Sequence, residues 1–170
     1  EIKIISNKRG SDYMSLTEAL EKLDEGRFIL YLKDSLYEEH VTTNLDVKAG
    51  WIIKGRGMNS TKVVFYDENP ANHYYNLNIV GDSRIYDLHL VSVQTSQSNH
   101  YCIHMDDRTV PNLQFVCENV MMETVFVDDN APFYTNNMLA LGIGSWDNWN
   151  LLFKNCIIKC DERVTLADKG

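Results

Sequence analysis

The segment "NHYCIHMDD", residues 99 to 107, holds the residue types closest to a chemical site. In a strand, alternate side chains share a face. If Ile103 and Met105 point inward, the outward row is His100, Cys102, His104 and Asp106. Such a row could hold a sugar hydroxyl, move a proton or supply metal ligands. A linear row does not surround zinc tetrahedrally, and no nucleophilic Ser or Thr setting lies beside it, so the pattern favours an outer structural face over catalysis.

Paired carboxylates would indicate glycoside hydrolysis, with their separation deciding between retaining and inverting chemistry. The catalytic candidates are His104, Asp106 and Asp107, and the acids that could join Asp106 also include Glu118, Glu123, Asp128 and Asp129. With 24 acidic residues in the chain, such a pair can arise by chance. Whether the chain is an enzyme therefore stays open, and an active form would be a glycoside hydrolase or a polysaccharide lyase.

Aromatic residues supply a second candidate surface. Trp146 and Trp149 lie in "GSWDNWN", and Tyr134 lies in "APFYTNN". Aromatic rings beside amides and carboxylates suit sugar binding, because they combine apolar faces with hydrogen-bonding groups. The same rings could instead cover a strand wall or fill a subunit contact. The predicted carbohydrate-binding set is His104, Asp106, Tyr134, Trp146 and Trp149.

Other motifs indicate no cofactor and no metal. The run "GRGMNSTK" contains G-x-G but leads into a strand, whereas a phosphate-binding Walker loop leads into a helix. The cysteines are four, without C-x-x-C spacing, and their strand positions predict buried, inert thiols.

Composition bounds the partners. Apolar residues make up 44% of the 170 residues, and the net charge is −8. An acidic chain lacks the basic footprint that nucleic acid or an anionic membrane requires. No apolar run is long enough to span a bilayer, so membrane insertion is not expected. One domain is expected, and the start at Glu1 with the polar end "DERVTLADKG" predicts a fragment of a longer chain or a processed product.

The elements that must position these residues are one helix and many short strands. Ser15 and Glu18 form a capping box, apolar residues follow at helical spacing, and Gly26 is expected to end a helix over 15–25. The strands expected after it are 28–33, 51–55, 62–66, 75–80, 84–93, 101–106, 113–123, 138–144 and 151–160.

An internal repeat distinguishes this chain from a β-sandwich. Aligning "IYDLHLVS", "CENVMMET" and "FKNCIIKC" places Asp87, Asn119 and Asn155 in one column, at offsets of 32 and 36 residues. A polar residue followed by alternate apolar residues, once per coil, is typical of a parallel β-solenoid. Asn or Asp in such a column can bond its equivalents and hold a bend.

The block from residue 11 to 67 resembles the opening of right-handed parallel β-helix proteins of the pectin lyase-like superfamily. The matching pieces are a capping helix, "ILYLKDSLYEEHV" with a G-x-Y-x-E type turn in which Ser35 replaces Gly, and "IIKGRGMNSTKVVF". The resemblance spans roughly 11–160. It implies an all-β fold, a right-handed parallel β-helix with a capping segment at 1–27, coils at 28–160 and a polar tail at 161–170.

Later segments are similar to β-helical parts of bacteriophage tail and adsorption proteins, and the acid and arginine motifs of the pectin-degrading enzymes are not intact. The resemblance implies a virion-associated tail or appendage component, made in the host cytoplasm, that contacts bacterial surface polysaccharide. It also implies a homotrimer or other virion partners. Two alternatives stay open: a polysaccharide-depolymerising enzyme that uses outer-face carboxylates, and a purely structural virion protein.

Overall fold

The computed structural model describes residues 1–67, 75–94, 101–105, 109–126, 140–144 and 148–159. This part of the chain is mostly β-structure with one short helix, which confirms the all-β prediction. The elements are β1 (Ile2–Ile5), α1 (Leu16–Lys22), β2 (Ile29–Leu32), β3 (Leu36–Val41), β4 (Leu45–Val47), β5 (Ile52–Lys54), β6 (Lys62–Asp67), β7 (Tyr75–Ile79), β8 (Ser83–Gln94), β9 (Tyr101–Met105), β10 (Gln114–Phe126), β11 (Leu141–Ile143), β12 (Asn150–Lys154) and β13 (Ile157–Lys159).

The chain visits three rows of parallel strands in a fixed order. The first row holds β1, β2, β5, the N-terminal halves of β8 and β10, and β12. The second row holds β3, β6, the C-terminal halves of β8 and β10, and β13. The third row is a separate four-stranded sheet of β4, β7, β9 and β11. We call one run through the three rows a pass, and strands pair with the same row of the neighbouring pass.

The core is built from inward columns, in which one pass places an apolar side chain on that of the next. In the second row Val63, Leu90 and Met122 are in register, and all three are fully buried. In the third row Leu77 pairs with Ile103, and both are fully buried, as is Met105. The prediction that Ile103 and Met105 point inward is therefore confirmed.

A polar ladder marks the bend between the first and second rows. Asp87, Asn119 and Asn155 have φ values of 58°, 56° and 51°, the left-handed region that Asn and Asp tolerate best after glycine. The Asn119 amide donates to the Asp87 carboxylate at 3.1 Å, and the Asn155 amide donates to Asn119 Oδ1 at 3.3 Å. The predicted column is confirmed, and each member turns the strand while bonding to the pass beside it.

Gly55 lies beside this ladder on the preceding pass. Its amide donates to the carbonyl of Tyr86 at 3.0 Å, and a Cβ added at Gly55 would collide with the carbonyl oxygen of Asp87. The glycine of "IIKGRG" is thus required by close backbone approach rather than by a turn.

The helix begins as predicted and ends early. The Ser15 hydroxyl accepts from the amide of Glu18 at 3.0 Å, and the Glu18 carboxylate reaches back to the amide of Met14 at 2.9 Å. The helix ends at Lys22, with Leu23 as its C-cap in extended backbone, so the predicted end at Gly26 is wrong by four residues. After Leu16, Ala19 and Leu20 are buried, no further helical turn is needed to cover the core.

The side chains of "SLYEE" tie the helix to the strands. Glu39 is 1% exposed and accepts from the amides of Leu16 at 2.7 Å and Thr17 at 2.9 Å, which satisfies two free N–H groups at the helix start. The Tyr37 hydroxyl donates to the carbonyl of Ile5 at 2.6 Å and accepts from the amide of Asp34 at 2.8 Å. Burial raises the pKa of Tyr37. The predicted turn is in fact the start of β3.

Three strands were not among those expected, and all lie before residue 50. They are β1, inside the predicted capping segment, and β3 and β4. β1 pairs with β2 from Ile2 opposite Ile29 to Ile5 opposite Leu32, so the stacked strands begin at the N-terminal end of the described chain. The predicted division into a capping segment at 1–27 and coils from residue 28 stays a prediction, with β1 inside that capping segment. The predicted tail at 161–170 lies outside the described residues.

Candidate functional site

A column of polar side chains follows the outer face of the third row. Asp46 is in register with Asn78, Asn78 with His104, and His104 with Gly142. The Asn78 amide donates to the Asp46 carboxylate at 2.8 Å. One such group per pass gives a line of hydrogen-bonding atoms across the strands, and we call these three polar residues and Gly142 the polar column.

His104 is held in this column by its neighbours. Its ring lies 5.2 Å from the ring of Tyr101, at 40° between planes, and it is half-buried. A Cβ added at Gly142 would lie 2.8 Å from His104 Cδ2 and 2.9 Å from Tyr101 Cδ1. The residue paired with His104 on β11 therefore has to be small, because a larger one would collide with the rings of His104 and Tyr101.

Cys102 does not join the outward row, so that part of the prediction is wrong. The side chain is fully buried, and its thiol lies 3.2 Å from the carbonyl oxygen of Glu123. The amides of Cys102 and Ile103 both donate to the carbonyl of Ala140, at 3.0 and 3.3 Å. Cys102 and Ile103 are adjacent and both buried, so strand alternation does not hold at this point.

Several predicted site residues lie outside the described residues: His100, Asp106, Asp107, Asp128, Asp129, Tyr134 and Trp146. Their position and pairing stay predictions. The described chain does show where two of these segments begin. The amide of Gly144 donates to the carbonyl of Met105 at 2.7 Å, so the chain leaves β9 and β11 at the same corner.

Trp149 lies within the described residues, and its side chain is half-buried. Its indole N–H donates to the carbonyl of Val110 at 2.7 Å, and its ring packs against the main core. This placement fits the interpretation that the tryptophan covers the strands. Its hydrogen-bond donor is already engaged, although part of the ring is exposed.

Beside the polar column a groove of about 1250 Å³ crosses the corner between the third row and the first row of the next pass. We call it the corner groove. Its charged and polar lining includes Arg27, Asp46, Lys48, Asp82, Arg84 and Gln114, and its apolar lining includes Ile52 and Val116. Asp46 belongs to both the corner groove and the polar column, so the two surfaces are continuous.

Internal bonds order part of the groove lining. Lys48 donates to the carbonyl of Leu23 at 2.9 Å, with its ammonium 5.4 Å from the ring centroid of buried Trp51. The Asp82 carboxylate accepts from the backbone amide of Gln114 at 2.8 Å. Arg84 and Arg27 lie exposed along the same groove. Cations and anions alternate there, which suits a neutral ligand rich in hydroxyl groups.

An acid–base pair lies on another face, the outer side of the second row. His89 Nε2 is 2.9 Å from Glu123 Oε2, and the two side chains are 14% and 27% exposed. Burial lowers the pKa of His89, and the hydrogen bond and charge of Glu123 oppose that shift. The pairing of His89 with Glu123 was not predicted from the sequence. The sequence signal for it was their separation of 34 residues. His89 is in register with Met121, and Glu123 lies two residues further along the same strand, so both side chains lie on the same face.

The described residues hold no cluster of three metal-ligating side chains. Within the same ranges, no helix has the length and apolar character needed to cross a membrane. No family model matches the chain, and no curated protein matches it. Function therefore has to be argued from the surface of the molecule.

Proposed function

We propose that the chain is a right-handed parallel β-helical domain of a bacteriophage tail or appendage protein, and that its outer face binds bacterial surface polysaccharide. Parallel pairing in every row, stacked inward columns and the ladder through Asn119 support the β-helical arrangement. The assignment to a virion and to a homotrimer rests on the resemblance to phage tail proteins.

The observation that carries the binding role is the continuity of the polar column with the corner groove. Neighbouring strands are about 4.8 Å apart, close to the length of one sugar unit. A glycan lying across the strands would therefore meet Asp46, Asn78 and His104 at successive sugars. It would then enter a groove in which Arg side chains can donate hydrogen bonds to sugar hydroxyl groups and Asp side chains can accept hydrogen bonds from them. Rigid parallel strands hold these groups in advance, which reduces the entropy cost of binding.

Binding without cleavage is the better-supported form of this proposal. Three carboxylates line the groove, Glu25, Asp46 and Asp82, and two of them already accept structural hydrogen bonds, Asp46 from Asn78 and Asp82 from the Gln114 amide. These two acids therefore have a structural role as hydrogen-bond acceptors. The second candidate function, depolymerisation, is favoured by the His89–Glu123 pair, because an imidazole bonded to a carboxylate can exchange a proton with a substrate.

A panel of purified bacterial surface polysaccharides would test the proposal. We expect at least one polysaccharide to bind, with no new reducing ends and no unsaturated products. Arg84→Ala should weaken that binding about tenfold, the effect of losing one charged hydrogen bond of roughly 1.4 kcal/mol. Arg9→Ala is the matched control, because Arg9 is exposed and does not line the groove.

The outcomes separate the three functions. New reducing ends or unsaturated products would replace the binding role with an enzyme, and their loss in His89→Gln would assign the second candidate site. Absence of binding to every polysaccharide would favour a purely structural virion protein. Equal binding by Arg84→Ala and the unchanged chain would move the contact away from the corner groove.

A further inference from the structure

Two cysteines from neighbouring passes lie close together near the ladder. Cys117 belongs to the inward column of the first row, in register with Ile85, and Cys156 follows ladder residue Asn155. Their Sγ atoms are 3.7 Å apart. Cys117 is fully buried, whereas Cys156 is half-buried. One thiol of the pair can therefore be reached from solvent and the other cannot.

The two thiols differ in acidity because they share one hydrogen bond. While both are thiols, the S–H of Cys156 donates to Cys117 Sγ; once Cys156 ionises, the S–H of Cys117 can donate to its thiolate, which lowers the pKa of Cys156 to about 6. The same hydrogen bond, together with burial, raises the pKa of Cys117. At neutral pH the accessible sulfur is the better nucleophile, and the buried thiol beside it can complete a second exchange.

We propose that Cys117 and Cys156 form a reversible disulfide, with a small disulfide such as oxidised glutathione as the oxidant. The Cys156 thiolate attacks one glutathione sulfur, which forms a mixed disulfide and releases one glutathione thiolate. Cys117 then loses its proton to water, and its sulfur attacks Cys156 Sγ and displaces the second glutathione thiolate. Two protein thiols are oxidised, and one oxidised glutathione is reduced to two thiols, which take up the protons.

The location gives this bond a function independent of polysaccharide binding. The last described pass, β12 and β13, is the least covered: Leu152 is 50% and Ile158 is 51% exposed, although Ile158 lies in register with buried Met122. A bond between Cys156 and Cys117 would tie this pass to the preceding one. It would close a loop of 39 residues, which limits the freedom of the unfolded chain.

Trypsin places each cysteine on a separate peptide, so the pairing can be read directly. The peptides are 85–108 with Cys102, 109–154 with Cys117, 155–159 with Cys156 and 160–163 with Cys160. The reduced protein would be incubated with oxidised glutathione, alkylated, denatured, digested without reductant and analysed by mass spectrometry. We expect 109–154 linked to 155–159 as the main product. We also expect the thermal midpoint to rise by about 10 °C.

Variants decide between this pair and its competitors. Cys117→Ala should keep glutathione attached to 155–159, whereas the control Cys102→Ala should form the linked peptide as the unchanged chain does. If Cys117→Ala fails to fold, the double variant Cys102→Ala with Cys160→Ser retains only the proposed pair and should still form the link. A link from 155–159 to 160–163, or a stable glutathione adduct in that double variant, would overturn the proposal. An unchanged thermal midpoint after linkage would refute the stabilising role.

Discussion

Replacing Asn119 would measure what the ladder contributes to folding. Asn119 is the middle member, since it donates to Asp87 and accepts from Asn155. It also has left-handed backbone, with φ of 56°. The side chain and the backbone therefore make separate contributions, and alanine and glycine remove them in different combinations.

The expected magnitudes follow from these contacts. A hydrogen bond to a carboxylate contributes about 1.5–3 kcal/mol and a neutral one about 0.5–1.5 kcal/mol. Asn119→Gly loses both bonds but tolerates the backbone, so it should lower the free energy of unfolding by about 2–4 kcal/mol. Asn119→Ala should lose about 1 kcal/mol more, because a Cβ is crowded in left-handed backbone.

Asn148 supplies the matched control. It has φ of 66° but is exposed and is not a ladder residue. Asn148→Ala should therefore be about 1 kcal/mol less stable than Asn148→Gly, and neither should lose the ladder contribution. Urea unfolding followed by circular dichroism would give all four values, provided that the denaturant slopes agree. Equal losses in Asn119→Gly and Asn148→Gly would refute the view that the ladder bonds stabilise the fold.

Two further predictions concern buried ionisable side chains. Glu39→Ala leaves two helix amides without their acceptor, so it should lower the free energy of unfolding in urea by about 2–4 kcal/mol. Glu39→Gln keeps an acceptor and should lower it less. Equal losses in the two variants would contradict the capping role. For His89, burial lowers the folded pKa, so below about pH 6.5 the unfolded chain binds more protons than the folded one, and stability should fall as the pH drops through that value. His89→Gln should flatten this fall, and an unchanged pH dependence in the variant would assign it to another group.

The ladder could be predicted from sequence because its signal is local and repeated. A polar residue followed by alternate apolar residues recurs with Asp87, Asn119 and Asn155, and stacking in register requires that spacing. The inward orientation of Ile103 and Met105 followed from the same alternation. These features depend only on which residues a strand buries.

The features that could not be predicted depend on contacts distant in sequence. β3 has alternating burial, but one of its inward positions is Glu39. The buried carboxylate of Glu39 accepts hydrogen bonds from two amides at the start of the helix. Cys102 is buried, with its thiol 3.2 Å from the carbonyl oxygen of Glu123, 21 residues away. In both cases the deciding partner is on another element, and alternation alone assigns the wrong role.

For the candidate site, the sequence led us to propose His104 but did not show which residues lie beside it. The polar column needs Asp46 and Asn78, which align with His104 only once the register of the third row is known. The corner groove combines residues from four passes, so no single segment shows its pattern. The His89–Glu123 pair was missed for the same reason, since its members belong to different passes.

The stacking register also determines where the number of residues can change without changing the strand pairing. The spacing between paired residues is 32 from Ser83 to Phe115 but 38 from Ile103 to Leu141, while the pairing stays parallel and in step. The extra length is therefore taken up in the connection between β10 and β11. Chain length between strands can therefore vary from pass to pass without a change of register, whereas one residue added inside β8 would turn its buried face outward.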